Sequence, residues 1–380
     1  MKENRHKYTA KRLISFFKDL VWSFLSLFIP RKPRIIFNSS HNDNFSFNSR
    51  YLFLYYREKF PQIDIRFIIN SPAKRAELES EYGDYFIGNR LFKDKLYIAQ
   101  ASVWVTSTME TPLMGVFYSF RRYVLNLSHG VVFKRAGVCE KNSSFLKKAY
   151  YFICRTNFTH FLTTSEHLRQ AAAKIYGTST DKIIINGFPR NDCIQRASND
   201  SRKILYAPTW RKEGKTRLMP CEPREEKELS RVLEKYDYTL YLRHHPLFEQ
   251  LEELKGKLPN RVELFSQHEC TDINERIHEF EGLITDYSSI FIDSLFSGAK
   301  QAFYPYDLDD FERDVGFLFS YKENIPGPII SCLDDFDTFL SSLTQKIEEK
   351  EKIKKMKSFF FDDLGSNASE RLSLLLNSKL

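Results

Sequence analysis

The 380-residue sequence lacks the marks on which several common functions depend. It contains no G-x-G-x-x-G and no G-x-x-x-x-G-K-[ST], so neither a dinucleotide coenzyme nor P-loop chemistry is indicated. Its six cysteines, Cys139, Cys154, Cys193, Cys221, Cys270 and Cys332, form no C-x-x-C pair and no zinc spacing. That points to reduced thiols in a cytosolic protein rather than a disulfide frame. No carboxylate cluster suggests a Mg²⁺ site, and the expectation is no metal and no cofactor. No apolar run is long and charge-free enough to span a bilayer. No small-residue cleavage site follows the apolar N-terminal stretch, which argues against a removable signal peptide. Internal repeats and low-complexity segments are also missing.

Charge imbalance is absent from most of the chain. Of the net +8, residues 1–34 carry +7, from nine Lys and Arg against Glu3 and Asp19. A general nucleic-acid footprint is therefore not expected. The partner implied is an anionic surface that meets the N-terminus. Within that segment Leu13, Phe17, Leu20, Phe24 and Phe28 recur at helical spacing, opposite Ser15, Lys18, Asp19, Ser23 and Ser26. Two readings are open for this amphipathic helix. It packs on the protein's own core, or it lies in the interface of an anionic leaflet; the basic flanks favour the second.

The length exceeds one ordinary core, so two domains are expected. From Arg34 short apolar runs alternate with helical ones. Strands are expected near 35–38, 65–70, 103–106, 123–127, 161–164 and 183–186. Helices are expected near 50–59, 71–81 and 166–176. Ser71-Pro72 suits an N-cap with Pro at the first helical position. The polar run Ala197–Arg202 reads as a linker. A second set follows near 204–207, 239–242, 262–265, 283–285 and 301–304, with helices near 222–235 and 288–297 and a helical tail from Phe336. Such βαβ alternation gives two parallel sheets, two Rossmann-like halves and a cleft between them.

Ligands in open α/β sheets sit beyond the carboxyl ends of the strands. Five such ends carry chemistry: Ser128-His129-Gly130, Gly187-Phe188-Pro189-Arg190-Asn191-Asp192, Ala207-Pro208-Thr209-Trp210-Arg211, Arg243-His244-His245-Pro246 and Thr285-Asp286-Tyr287-Ser288-Ser289. A His beside a Gly past a strand meets the needs of a general base. Ser288 and Ser289 at a helix start make an anion site from free N–H groups and the helix dipole. Each has a plainer reading: a surface histidine, a turn with a packed Trp, and helix caps at Asn191-Asp192 and at the serines. All five together, rich in hydroxyls, Arg and His, suit phosphate.

In order and wording these segments resemble the CDP-glycerol glycerophosphotransferase family, which makes teichoic acids and related capsule polymers. The family pattern comprises H-G-T, G-x-P-R-N-D, A/T-P-T-W-R, R-x-H-P and T-D-Y-S-S followed by F/I-D. Tyr304–Asp307 with Gly316-Phe317 resembles its late segment. The chain departs where Trp usually precedes the His and Thr-Pro follows the Gly, having Ser128 and Val131-Val132 instead.

The resemblance implies a GT-B-like α/β architecture, two Rossmann-like domains facing a central cleft, preceded by the amphipathic helix. Residues 1–33 would be the basic membrane-associating segment, 34–198 the acceptor domain and 199–380 the CDP-alcohol domain with its helical tail. It implies transfer of glycerol phosphate from CDP-glycerol to a hydroxyl of a lipid-linked saccharide acceptor, with release of CMP, in priming or short extension. His129 would be the base. His245 matches the family His and would be an acid or a phosphate ligand, His244 taking the variable position. Arg211, Ser288 and Ser289 would hold the pyrophosphate, and Thr209 and Asp286 would seat phosphate or glycerol. Arg190 and Asn191 would line the cleft from the N-terminal side, and Gly130 and Arg243 would also touch substrate. The enzyme would be peripheral on the cytoplasmic face of the membrane; its oligomeric state is open. Three alternatives stand beside this reading: CDP-ribitol as donor, a GT-B glycosyltransferase using a nucleotide sugar, and a non-catalytic membrane-bound scaffold.

Overall fold

The computed structural model describes residues 20–141, 143–194, 196–197, 200–211, 216–243, 256–266, 269–345, 350–362 and 367–380. The chain divides into two units, Met1–Asp192 with Gly365–Leu380, and Cys193–Leu364. Each is built on one sheet whose strand pairs are all parallel.

The first sheet holds β1 (Lys32–Asn38), β2 (Asp64–Ile68), β3 (Phe86–Ile87), β4 (Ala101–Thr106), β5 (Tyr123–Asn126), β6 (His160–Thr163) and β7 (Ile183–Ile185), in the order β3-β2-β1-β4-β5-β6-β7. Every residue of β4 is buried. That is the state of a parallel strand covered on both faces, and it is why these strands read as continuous apolar runs. Helices Phe47–Lys59 and Glu166–Tyr176 contribute to the buried interior, the first through Leu52, Phe53 and Tyr56. Ser71 caps helix Pro72–Tyr82, its hydroxyl accepting from the Lys74 amide at 3.5 Å. The two-residue β3 is too short to leave a period in the sequence.

The second sheet holds β8 (Lys203–Ala207), β9 (Thr239–Leu242), β10 (Val262–Leu264), β11 (Gly282–Thr285) and β12 (Lys300–Phe303), in the order β10-β9-β8-β11-β12. Its core joins Ile204, Tyr206, Leu240 and Ile284 to Leu229 and Leu233 of helix Glu226–Lys235 and to Phe336, Phe339 and Leu340 of helix Leu333–Thr344.

The expected tail of the second half is divided. Helices Leu333–Thr344 and Lys350–Phe360 stay with the second unit, whereas helix Ala368–Asn377 returns to the first. Tyr56 donates to the Ser373 carbonyl at 3.2 Å and to Asn377 Oδ1 at 3.0 Å. Asp192 accepts from the Ala368 and Ser369 amides at 3.0 and 2.8 Å, which satisfies the start of that helix. The helix approaches so closely that a Cβ at Gly187 would lie 3.0 Å from Ala368 Cβ, a contact tighter than nearly all real ones, which the helix would have to relieve by a few tenths of an ångström.

Of the amphipathic N-terminal segment, residues 1–19 lie outside the described residues. Residues 20–26 are helical, with Trp22, Ser23 and Ser26 buried and Leu20, Val21, Phe24, Leu25 and Phe28 exposed. The small polar side chains face the protein, and most of the apolar ones face outward. Ser23 Oγ accepts from the Val116 amide at 2.9 Å. The guanidinium of Arg31 ties the segment down through the carbonyls of Ser26, Ala99 and Phe120.

Candidate functional site

The described site residues fall into two groups, one on each unit. In the first unit His129 stands three residues past the end of β5. Its loop is fixed by backbone. Asn48, wholly buried, donates to the carbonyls of Leu127 and Ser128 at 3.3 and 2.9 Å and accepts from the Arg190 amide at 3.3 Å. The Asn126 carboxamide accepts from the Ser128 amide at 2.8 Å, and Arg190 Nη1 donates to the His129 carbonyl at 2.6 Å. Ser128 is held at φ 60° and Phe47, whose ring lies 5.8 Å from the imidazole, at φ 61°. Left-handed backbone at non-glycine residues costs on the order of 1–3 kcal/mol and persists where the surroundings fix it. Gly130 completes the turn, its carbonyl accepting from Ser128 Oγ at 2.8 Å.

The imidazole itself has no hydrogen-bond partner among the described residues. Its surface is exposed, yet it lies deep among protein atoms. Loss of surrounding water, then the charges of Arg190 and Lys134, lower its pKa to about 4. Because the ring keeps contact with solvent, the chemistry rests on the direction of that shift, which leaves a neutral imidazole able to accept a proton at pH 7.

The segment Pro189–Cys193 follows β7. Arg190 and Asn191 are both buried, but their uses differ. Arg190 is spent on the His129 loop. Neither Nδ2 nor Oδ1 of Asn191 has a partner among the described residues. Asp192, which reads equally well as a ligand or a cap, is the cap.

In the second unit the carboxyl ends of β9, β8 and β11 are neighbours in the sheet and carry Arg243, Thr209 and Arg211, and Asp286 to Ser289. Asp286 is fully buried at the centre. Its Oδ1 accepts from the amides of Thr209 (2.8 Å) and Tyr287, and its Oδ2 accepts from Arg211 Nη1. Arg211 also donates to the Thr209 carbonyl and, from Nε and Nη2, to Asp307 at 2.9 and 2.7 Å. Four of its five N–H groups are thereby engaged. Burial alone would lower its pKa; the Asp307 hydrogen bonds and the Asp286 charge outweigh burial and raise it. Tyr287 donates to Asp307 at 3.0 Å and stacks on Phe311, and Tyr321 donates to the Asp286 carbonyl at 2.9 Å.

Around this frame lie polar atoms with nothing to bind among the described residues. Thr209 Oγ1 and Arg243 Nη1 are buried without partners. Arg243 Nη2 is held by the Cys270 carbonyl at 2.8 Å, and burial lowers the pKa of the guanidinium. Ser289 occupies the N-cap position of helix Ile290–Ser297, yet its hydroxyl makes no capping bond. Ser288 likewise forms no side-chain hydrogen bond, and both serines are half-buried. An unsatisfied buried polar group costs on the order of 1–3 kcal/mol. A cation, two half-buried hydroxyls and a buried one at three adjacent strand ends fit an anion with several acceptor oxygens.

His245 and His244 lie outside the described residues. The structure brings Thr209, Arg211 and Asp286 into one network, and joins His129 to Arg190 in another. Sequence reasoning missed Asn48, which carries no motif signal, and the function of Asp307, visible only as part of a Tyr-x-Tyr-Asp run.

Residues 21–377 match the family model described as CDP-glycerol:poly(glycerophosphate) glycerophosphotransferase. Over 355 residues the chain is 25% identical to the teichoic acid glycerol-phosphate transferase of Staphylococcus aureus, covering 85% of this chain and 87% of that protein. It is 28% identical over 233 residues to the teichoic acid poly(ribitol-phosphate) polymerase of Bacillus spizizenii, covering 57% of this chain but only 37% of the polymerase. Its fold resembles the wall teichoic acid polymerase TagF, with a TM-score of 0.76 at 20% identity over 100% of this chain and 98% of that one.

Proposed function

The chain belongs to the CDP-glycerol:poly(glycerophosphate) glycerophosphotransferase family, and from that premise we propose that it transfers glycerol phosphate from CDP-glycerol to a hydroxyl of a lipid-linked saccharide. The observation that carries the reading is the set of unpartnered Thr209 Oγ1 and Arg243 Nη1 with the uncapped Ser288 and Ser289, which together suit a pyrophosphate.

In the reaction His129 takes the proton of the acceptor hydroxyl while that oxygen attacks the β-phosphorus of CDP-glycerol. The bond from that phosphorus to the bridging oxygen breaks, and CMP leaves with the bonding electrons. Arg243, Thr209, Ser288, Ser289 and the helix start bind the pyrophosphate and take up the charge that develops on it. Arg211 and Asp286, expected as ligands, act instead as the frame that sets Thr209 and Tyr287, since both Asp286 carboxylate oxygens and four of the five Arg211 N–H groups are already engaged. Asn191 offers its free carboxamide to the acceptor. His245 serves the leaving phosphate as acid or ligand.

In this reading the first unit binds the acceptor and the second the donor, so the last helix, expected with the donor half, belongs to the acceptor side, and the product is a primer or short extension. The basic segment 1–33 keeps the enzyme peripheral on the cytoplasmic face of the membrane. Among the described residues no helix is long and apolar enough to cross a membrane.

The test is a donor screen on defined lipid-linked saccharides, followed by product mass. Release of CMP with a mass gain of one or a few glycerol phosphates is expected. Turnover of CDP-ribitol alone moves the donor assignment, UDP release from a UDP-sugar overturns the reaction class, and no turnover with any donor supports the scaffold.

A further inference from the structure

Phe47 holds a backbone conformation that bulky residues avoid, and its ring stands beside the imidazole of His129. At φ 61° it is a true outlier, of the kind that persists where the surroundings fix it and that clusters at ligand sites. The surroundings are explicit. Ser46 Oγ lies 3.0 Å from Ser39 Oγ, and Asn48 donates to the carbonyls of Leu127 and Ser128. The Ser49 amide donates to Ser107 Oγ at 2.8 Å. The side chains on either side of Phe47 thus belong to the frame. Helix capping does not account for the strain, because the Ser46 hydroxyl makes no capping bond.

Packing does not account for the ring either. Phe45, two residues earlier, meets Phe53, Phe67, Tyr82 and Phe86 with centroids 4.9–5.7 Å apart. Phe47 is only partly buried. Among the described residues the one ring it meets is the His129 imidazole, at 5.8 Å with the planes inclined by 58°. Asn48 brings in a third element. Its Oδ1 accepts from the Arg190 amide, so the residue after Arg190, Asn191, is tied to the same point. Asn191 is 4% exposed, and neither atom of its carboxamide has a partner among the described residues.

We propose that Phe47 is the platform for a sugar ring of the acceptor: one face of the pyranose stacks on the phenyl ring, its attacking hydroxyl lies at His129, and a second polar substituent bonds to Asn191. The inference rests on the transferase reading above and names the part of the acceptor that the first unit recognises. The face of an aromatic ring is negative, and a pyranose turns several C–H groups, apolar and slightly positive, to one side. Hydroxyls at the sugar's edge both donate and accept, as a carboxamide does through Nδ2 and Oδ1. A few directed polar groups beside an aromatic wall are the usual make-up of a small-molecule site. The three-carbon chain of an acyclic glycerol phosphate has no such face to offer. Phe47 therefore sets the preference for a cyclic acceptor, while His129 sets the chemistry.

The experiment is calorimetric binding of a short-chain lipid-linked saccharide, and of glycerol 3-phosphate as the acyclic acceptor, to the full chain, with CMP release from CDP-glycerol read in parallel. Phe47→Asn removes the ring and installs a residue that tolerates left-handed backbone, so its unfolding midpoint should equal or exceed that of the wild type. It should weaken saccharide binding about fivefold or more, the size of an aromatic contact. The KM for that acceptor should rise by the same factor with kcat within about twofold, because the contact is made before and during the reaction alike. Glycerol 3-phosphate should be held no differently by the two proteins, and the KM for CDP-glycerol should stay the same. Phe47→Tyr should restore saccharide binding. Equal saccharide affinity in wild type and Phe47→Asn overturns the proposal, and so does a wild type that binds no saccharide. An equal loss for both acceptors overturns it too, since Phe47 would then act by positioning His129. So does a marked fall in the Phe47→Asn unfolding midpoint, because the ring would then belong to the packing. If saccharide binding depends on Phe47 but no CMP is released, the transferase reading fails while the saccharide site stands.

Discussion

The His129 loop and the Asp286 turn stand just past the carboxyl ends of parallel strands, and they are built in opposite ways. At His129 the backbone is clamped by Asn48, Asn126 and Arg190, and the side chain is left without a hydrogen bond among the described residues. At Asp286 the side chain is the clamp. It gathers two amides and a guanidinium, and a second carboxylate, Asp307, holds the far side of that guanidinium. A group that must exchange a proton has to be held by something other than its own titrating atoms. A group that must present its neighbours to a ligand can spend every polar atom it has. On this view the first region is reactive and the second is preorganised.

The largest effect that could break this contrast is at the reactive end. A positioned proton acceptor contributes on the order of 10²–10⁴ in rate. His129→Ala should lower kcat by that much while leaving the unfolding midpoint in denaturant close to wild type, since the imidazole bonds to nothing in the described structure. A loss of less than about tenfold removes the base assignment. A large fall in stability would mean that the ring is part of the frame after all.

At the other end the order of effects reverses. Asp286→Asn removes one of the two carboxylates on the Arg211 guanidinium while Asp307 keeps the other side, so stability should fall by less than the about 3–5 kcal/mol of a buried charge left unpaired. Denaturant unfolding should show that loss before any kinetic assay does. Ser288→Ala with Ser289→Ala should leave stability within about 0.5 kcal/mol, because neither hydroxyl caps its helix. The pair should instead raise the KM for CDP-glycerol at least about tenfold, the size expected for lost hydrogen bonds to a charged group. If the double serine variant unfolds easily and binds donor normally, the serines are caps and Asp286 is the ligand.

The same contrast explains what could be read in the sequence. Parallel strands announce themselves, since β4 and β11 are buried at every position and leave apolar runs that only short strands explain. The strand-end residues were legible as a set, because the rule that ligands sit at carboxyl ends needs only the strands. Their division of labour was not. Asp192 and Asn191 are adjacent and similar in type, yet one caps a helix from the far end of the chain and the other has no partner among the described residues. A pairing across 176 residues leaves no local pattern. The same holds for Arg211, whose partners Asp286 and Asp307 lie 75 and 96 residues away. Asn48 is one polar residue near the start of a helix, and only the loop that folds onto it gives it meaning.

The smallest predicted effect is the most discriminating, because it concerns how the reactive group is tuned. The folded pKa of His129 lies below the ordinary value of about 6.5, so the neutral form is the one the fold favours. The unfolded chain takes up a proton at higher pH than the native one. The contribution to stability is therefore full above about pH 6.5 and declines as the pH falls toward 4. For activity the sign is the opposite of a loss at neutral pH: kcat/KM of the free enzyme should stay level through and below the ordinary histidine range of about 6.5 before it falls. Lys134→Gln removes one of the two cations and should move the kcat/KM limb upward by a fraction of a pH unit. A kcat/KM limb unmoved by Lys134→Gln would mean that the titrating base is not His129.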